Sequence, residues 1–225
     1  MIPNRQIGWS VESTNTWYVA KAVERLSSIA YSNPAKDTAY STVVQSAGTV
    51  VTVQGLVPKS QNNDLRNYVS SVILSTDTLG AAGFLLILDG LLSVSSIATG
   101  TGLVTTTTPH DLKVGDTVIY NTLTGGTGLT TNTLYYVTDV SSPTTYNISA
   151  SIFGSNLAPS VAATAANSYR VLFRLRLATT AITSPQSIEF PTPLRSAPDA
   201  NLNFLIPTST TSGVVYLTVT GFRGA

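Results

Sequence analysis

Arg170-Val171-Leu172-Phe173-Arg174-Leu175-Arg176-Leu177 is the stretch that decides the fold class. Successive side chains of a strand point to opposite faces, so Val171, Phe173, Leu175 and Leu177 share one face and Arg170, Leu172, Arg174 and Arg176 the other. The spacing predicts a strand with one core face and one cationic face. Composition extends that reading to the whole chain. Its 225 residues include 34 threonines and 26 serines, and β-branched threonine at that density favours strands over helices. Only 10% of residues are charged, against roughly 25% in an average soluble domain, so much of the polar surface is neutral.

Working outward, further strands are predicted at 49–57, 68–75, 84–89, 92–98, 186–190, 202–206 and 214–222, with Gly and Pro punctuating the gaps. Asp89-Gly90 predicts a tight turn between two of them. One segment reads as helix. Ser10 can cap it, Glu12 complements its positive end, and Val19, Leu26 and Ile29 recur at helical spacing over 11–30 before Asn33-Pro34 ends it. Trp9, Trp17 and Tyr18 crowd large aromatic surface at this start of the chain, which suits an interface anchor.

The stretch 99–168 differs in texture from its surroundings. Between Asp116 and Arg170 the only charged residue is Asp139. Thr124-Gly125-Gly126-Thr127-Gly128 supplies a hairpin loop between Thr117-Val118-Ile119-Tyr120 and Leu134-Tyr135-Tyr136-Val137. The overall expectation is an all-β protein. A sandwich or jelly-roll-like body, 1–98 plus 169–225, carries an N-terminal α-helix and a small inserted β domain, 99–168.

Several function classes are disfavoured. A net charge of +1 gives too weak a field to make nucleic acid or an anionic membrane the main partner. The chain has no cysteine, which removes disulfides, Cys zinc sites and thiol nucleophiles and fits a reducing cytoplasm. Its longest apolar run stops at Asp89, too short for a bilayer span, and the first residues lack a signal-peptide core. His110 is the only histidine, so a His-pair metal site cannot be assembled; a triad, or a metal held with Asp111 or Asp116, stays open. Pro109-His110-Asp111 reads first as a turn. No Gly-x-Ser-x-Gly elbow or dinucleotide loop is present. The expectation is no catalytic residue, no metal and no cofactor. Arg170, Arg174 and Arg176 read either as a solvated or internally paired face or as a contact for an acidic patch on a neighbour. Tyr135, Tyr136 and Tyr146 could hold a glycan, although alternation buries at least one of them.

Two motifs resemble a known class of proteins. Ile2-Pro3-Asn4-Arg5-Gln6-Ile7-Gly8-Trp9-Ser10, followed by Lys21 and Glu24-Arg25-Leu26, resembles the N-terminus of small virion structural proteins of tailed bacteriophages. Pro109-His110-Asp111-Leu112-Lys113-Val114-Gly115-Asp116-Thr117-Val118, with Gly125-Gly126-Thr127-Gly128-Leu129 and Leu134-Tyr135-Tyr136-Val137 downstream, resembles a β-module inserted into phage tail and particle proteins. The body, 68–92 plus 169–222, resembles the sandwich of the same virion proteins. The resemblance implies a non-enzymatic capsid decoration, cement or head-fibre protein, with a tail-associated or adaptor protein carrying a host-glycan-binding module as the alternative. Its implied partners are other virion proteins, chiefly the major capsid protein, and further copies of itself, a trimer favoured. Its implied location is the virion, assembled in the host cytoplasm.

Overall fold

The structure, a computed structural model, describes residues 39–46 (backbone only), 53–59, 65–207 and 212–224. The helix expected at 11–30, with Trp9, Trp17 and Tyr18, and the start of the strand expected at 49–57 lie outside the described residues. Within them every helix or strand element is a strand, so the described part of the chain is all-β. In chain order these are β1 Ala39–Ser46, β2 Gln54–Val57, β3 Arg66–Thr76, β4 Gly83–Ile97, β5 Val104–Thr106, β6 Thr117–Gly125, β7 Leu134–Ser142, β8 Thr145–Ser149, β9 Ala163–Leu177, β10 Ile182–Arg195, β11 Leu202–Leu205 and β12 Val214–Gly224.

One sheet runs β1-β12-β3-β10. Val72 and Leu74 of β3 and Val215, Leu217 and Val219 of β12 fall on one face by strand alternation. They pack with Leu85 and Ile87 of β4, Leu177 of β9 and Leu202 and Phe204 of β11, which belong to a second sheet. Two sheets therefore enclose a common core. Bulges adjust the alternation where it would fail. At one of them Gly221 passes so close to the Tyr68 backbone that an added Cβ would overlap its carbonyl oxygen.

The second sheet runs β2-β11-β4-β5-β8-β7-β6-β9, and β9 pairs back to β4. The six strands β4-β5-β8-β7-β6-β9 thus close into an antiparallel barrel, which leaves no unpaired edge among them. Its interior is filled by Val94, Ile97, Val104, Val118, Tyr120, Tyr135, Val137, Tyr146 and Ile148. β4 and β9 are 15 residues each. They serve the first core with one half and the barrel with the other, running unbroken through positions 98/99 and 168/169 or ending beside them.

Two local expectations are corrected. The strands expected at 84–89 and 92–98 are one strand, β4, and Asp89-Gly90 is a bulge inside it rather than a hairpin turn. Leu88 pairs with Val171 and Leu91 with Tyr169, so Asp89 and Gly90 stand opposite the single Arg170. A turn there would forfeit the long ladder that β9 offers, and Gly90 is needed because a Cβ would come within 2.9 Å of the Ala200 Cβ. Pro191 and Pro193 lie within β10 instead of in loops. Strand β10 is a sheet edge, where a missing N–H costs no ladder bond, and the register skips between Glu189 and Leu194 across them.

Candidate functional site

The bulge at Asp89-Gly90 places a carboxylate at the seam between the two cores, where it is 3% exposed. A charge so far from water needs full partnering. Asp89 obtains it from the Arg170 guanidinium, whose Nε donates at 3.1 Å and whose Nη2 makes a closer contact, and from the backbone N–H groups of Gly90 and Ala197, both at 2.9 Å. Arg170 also donates to the Asp111 backbone carbonyl at 3.3 Å and lies 3.7 Å from the Asp116 carboxylate. Arg66 extends the network, donating to the Asp111 carboxylate at 3.1 Å and to the Ser196 carbonyl at 2.9 Å. These bonds tie β3, β4 and β9 to the loops 107–116 and 196–201. Lys59 and Asp199 form a more exposed pair at 3.2 Å, of the kind that contributes little to stability.

Between those two loops opens a cleft of about 520 Å³, floored by the Asp89–Leu92 segment and walled by Pro109, His110, Pro198 and Asn201. His110 Nδ1 accepts the Leu112 N–H at 3.3 Å, and its ring stands edge-on to Tyr146 at 5.1 Å. Burial pushes its pKa below the ordinary histidine value, opposed less strongly by the Thr145 backbone and by Asp111. Burial would raise the Asp111 carboxyl, but the Arg66 guanidinium, with Arg170 and Lys113 beyond it, outweighs that and holds it below the usual range. Asp111 is engaged by Arg66, and His110 Nδ1 is taken by a backbone N–H. That is not the oriented His–carboxylate pair that general-base catalysis uses. Among the described residues no group of three or more His, Asp or Glu is placed to hold a metal, and no helix is long and apolar enough to cross a membrane.

The three arginines singled out in the sequence do not share a face. Leu172 is an extra residue opposite the Ile87–Leu88 step of β4 and reverses the alternation of β9. Leu172, Phe173 and Leu175 all pack on the first core, while Val171 joins Leu86 and Leu88 on the other face. Arg170 consequently turns into the seam. Arg174 and Arg176 are exposed on the opposite side, Arg174 lying 4.9 Å over the Phe84 ring. Tyr135 and Tyr146 are buried inside the barrel and Tyr136 is half-buried, so the first two are not free to contact a glycan. Burial raises the pKa of Tyr120 and Tyr146. Sequence reading missed Asp89 and Arg66 as members of the network. The available signal was an acidic residue breaking an apolar run, Leu85 to Leu88, which needs a buried cation.

Compared with protein-family models, with curated proteins and with solved structures, the chain matches none of them.

Proposed function

We propose that this chain is a non-enzymatic structural component of a tailed-phage particle that decorates or stabilises the capsid through protein–protein contacts, as a cement or head-fibre protein. In this reading a sandwich or jelly-roll-like body with an N-terminal helix joins the particle and carries the inserted segment 99–168, which completes the barrel on β4 and β9. One observation carries the proposal. The β4–β9 ribbon and the Asp89–Arg170 network join a closed barrel to the body, and the best-buried charges among the described residues lie at that junction. This is the layout of a scaffold that presents a module. Low charge and the phage-like motifs around 109–137 point the same way. The partners are the major capsid protein and further copies of the chain, a trimer favoured. Arg174 and Arg176, with Trp9, Trp17 and Tyr18, are the contacts offered to them.

The test is cosedimentation of the purified full chain with empty tailed-phage capsids stripped of their decoration protein. Saturable binding is expected, weakened and made less salt-sensitive by the double change Arg174→Gln/Arg176→Gln, since fewer charges then cross the interface. Absence of binding, or binding indifferent to both the substitutions and salt, refutes the assigned contacts.

A further inference from the structure

Every neighbouring pair in the barrel is antiparallel, so β4, β6 and β8 run away from the body and β5, β7 and β9 run back. The loops 98–103, 126–133 and 150–162 therefore gather at the far end. They interlock. Ser160 N–H donates to the Thr127 carbonyl at 2.9 Å, Gly126 N–H to the Ala162 carbonyl at 3.2 Å and Leu157 N–H to the Ile148 carbonyl at 2.7 Å. Gly102, at a φ of +68°, lies against Ala158, whose Cα a Cβ there would approach to 3.3 Å. None of the three loops contains a charged residue.

At this rigid, neutral end the tight turn Ser151-Ile152-Phe153-Gly154 is closed by Gly154 N–H donating to the Ser151 carbonyl at 2.9 Å. Ser149 braces it, its Oγ donating to the same carbonyl at 2.7 Å and accepting the Ser151 N–H at 3.1 Å. Phe153 occupies the third position with a φ of +61°, a left-handed conformation that bulky side chains rarely adopt. Its side chain is 96% exposed, and Ile152 and Val161 in the same loop are also exposed. Folding does not account for this ring: glycine at 153 would relieve the backbone and remove the apolar surface together. A strained conformation that projects an aromatic from a braced turn points to a contact role.

We propose that the far end of the barrel binds a neutral carbohydrate, with the Phe153 ring lying against the apolar face of a sugar and exposed Thr99, Thr127, Thr131 and Asn156 supplying hydrogen bonds at the same end. Charge and size select this ligand class. An ionic ligand would find no counter-charge in the three loops to offset its lost hydration. Three exposed apolar side chains fall far short of the roughly 800 Å² per partner that a stable protein interface or a second copy needs. A ring and a few hydroxyls match a ligand of one or two sugar units.

The experiment displays the full chain on beads, so that many weak contacts act together, and probes it with neutral glycans, acidic glycans and phosphatidylcholine vesicles. Retention of at least one neutral glycan is expected, equal at about 0.05 and 0.5 M salt because no charge pair is involved. Phe153→Gly should lower that retention roughly tenfold or more while leaving the melting temperature unchanged or higher, which separates lost contact from lost fold. Retention of no neutral glycan, preference for acidic glycans or for vesicles, or undiminished retention by the glycine variant would overturn the proposal. The assay uses no particle, so its outcome is independent of the capsid reading.

Discussion

Arg170→Met is the perturbation that most directly tests the seam. The guanidinium is 15% exposed and its Asp89 partner 4%, so the substitution strands a carboxylate that retains only the Gly90 and Ala197 N–H groups. Removing one partner of a buried ion pair costs about 3–5 kcal/mol, because the surviving charge keeps its desolvation penalty and loses its compensation. A chain of this length shifts its melting temperature by about 2–4 °C per kcal/mol, so the midpoint should fall by on the order of 10 °C. Asp89→Asn/Arg170→Met neutralises both sites and leaves an amide oxygen for the Ala197 N–H. It should be clearly more stable than Arg170→Met alone. Thermal unfolding followed by near-ultraviolet circular dichroism, on both single variants and the double, gives the coupling energy. A single-variant cost under about 1 kcal/mol, or strictly additive effects, would mean that the pair behaves as a surface salt bridge and that the seam is held by packing.

Other expectations follow from neighbouring features. His110 titrates lower in the folded chain than its ordinary 6.5; the unfolded chain therefore binds the extra proton, and stability present at neutral pH is lost as pH falls through 6.5 towards the folded value. Asp111, held below 3.8, loses its stabilising contribution only at much lower pH. His110→Gln should accordingly flatten the melting temperature between about pH 7 and 5, and an unchanged slope contradicts the assignment. Gly221→Ala should cost about 1–3 kcal/mol by forcing β12 from β3 at Tyr68, readable as a lower urea midpoint; wild-type stability would show that the bulge yields freely. Ile97 and Ala163 are register partners, so replacing 98–162 with Asn-Gly should close β4 and β9 as a hairpin. The first core contains no residue from 98–162, and cooperative unfolding of this shortened chain is expected; an aggregated product would show that the body needs the barrel to fold.

Strand content was legible because threonine density and period-two alternation act locally. The strands expected at 68–75, 186–190, 202–206 and 214–222 all lie on observed ones, though 202–206 runs one residue past the end of β11. The hairpin between β6 and β7 was legible for the same reason, since glycine permits the positive φ seen at Gly125, Gly126 and Gly128. What escaped depended on partners distant in sequence. Asp89-Gly90 has the local chemistry of a turn, yet β9, some eighty positions later, supplies a ladder long enough to make it a bulge. Leu172 carries no mark that it is the unpaired residue; only the register against Ile87 and Leu88 makes it so, and that register sends Arg170 inward while Arg174 and Arg176 remain outside. The exposed ring of Phe153 was likewise invisible, because nothing in Ser-Ile-Phe-Gly states that a serine two residues earlier braces the turn. By itself, then, the sequence determined that the chain is built of strands, since side-chain shape and alternation bias each residue regardless of what it meets. Barrel closure, the buried charge pair and the facing of each arginine were decided only in the tertiary structure, because pairing register, which sets which face a side chain takes, is a relation between two segments and is written in neither alone.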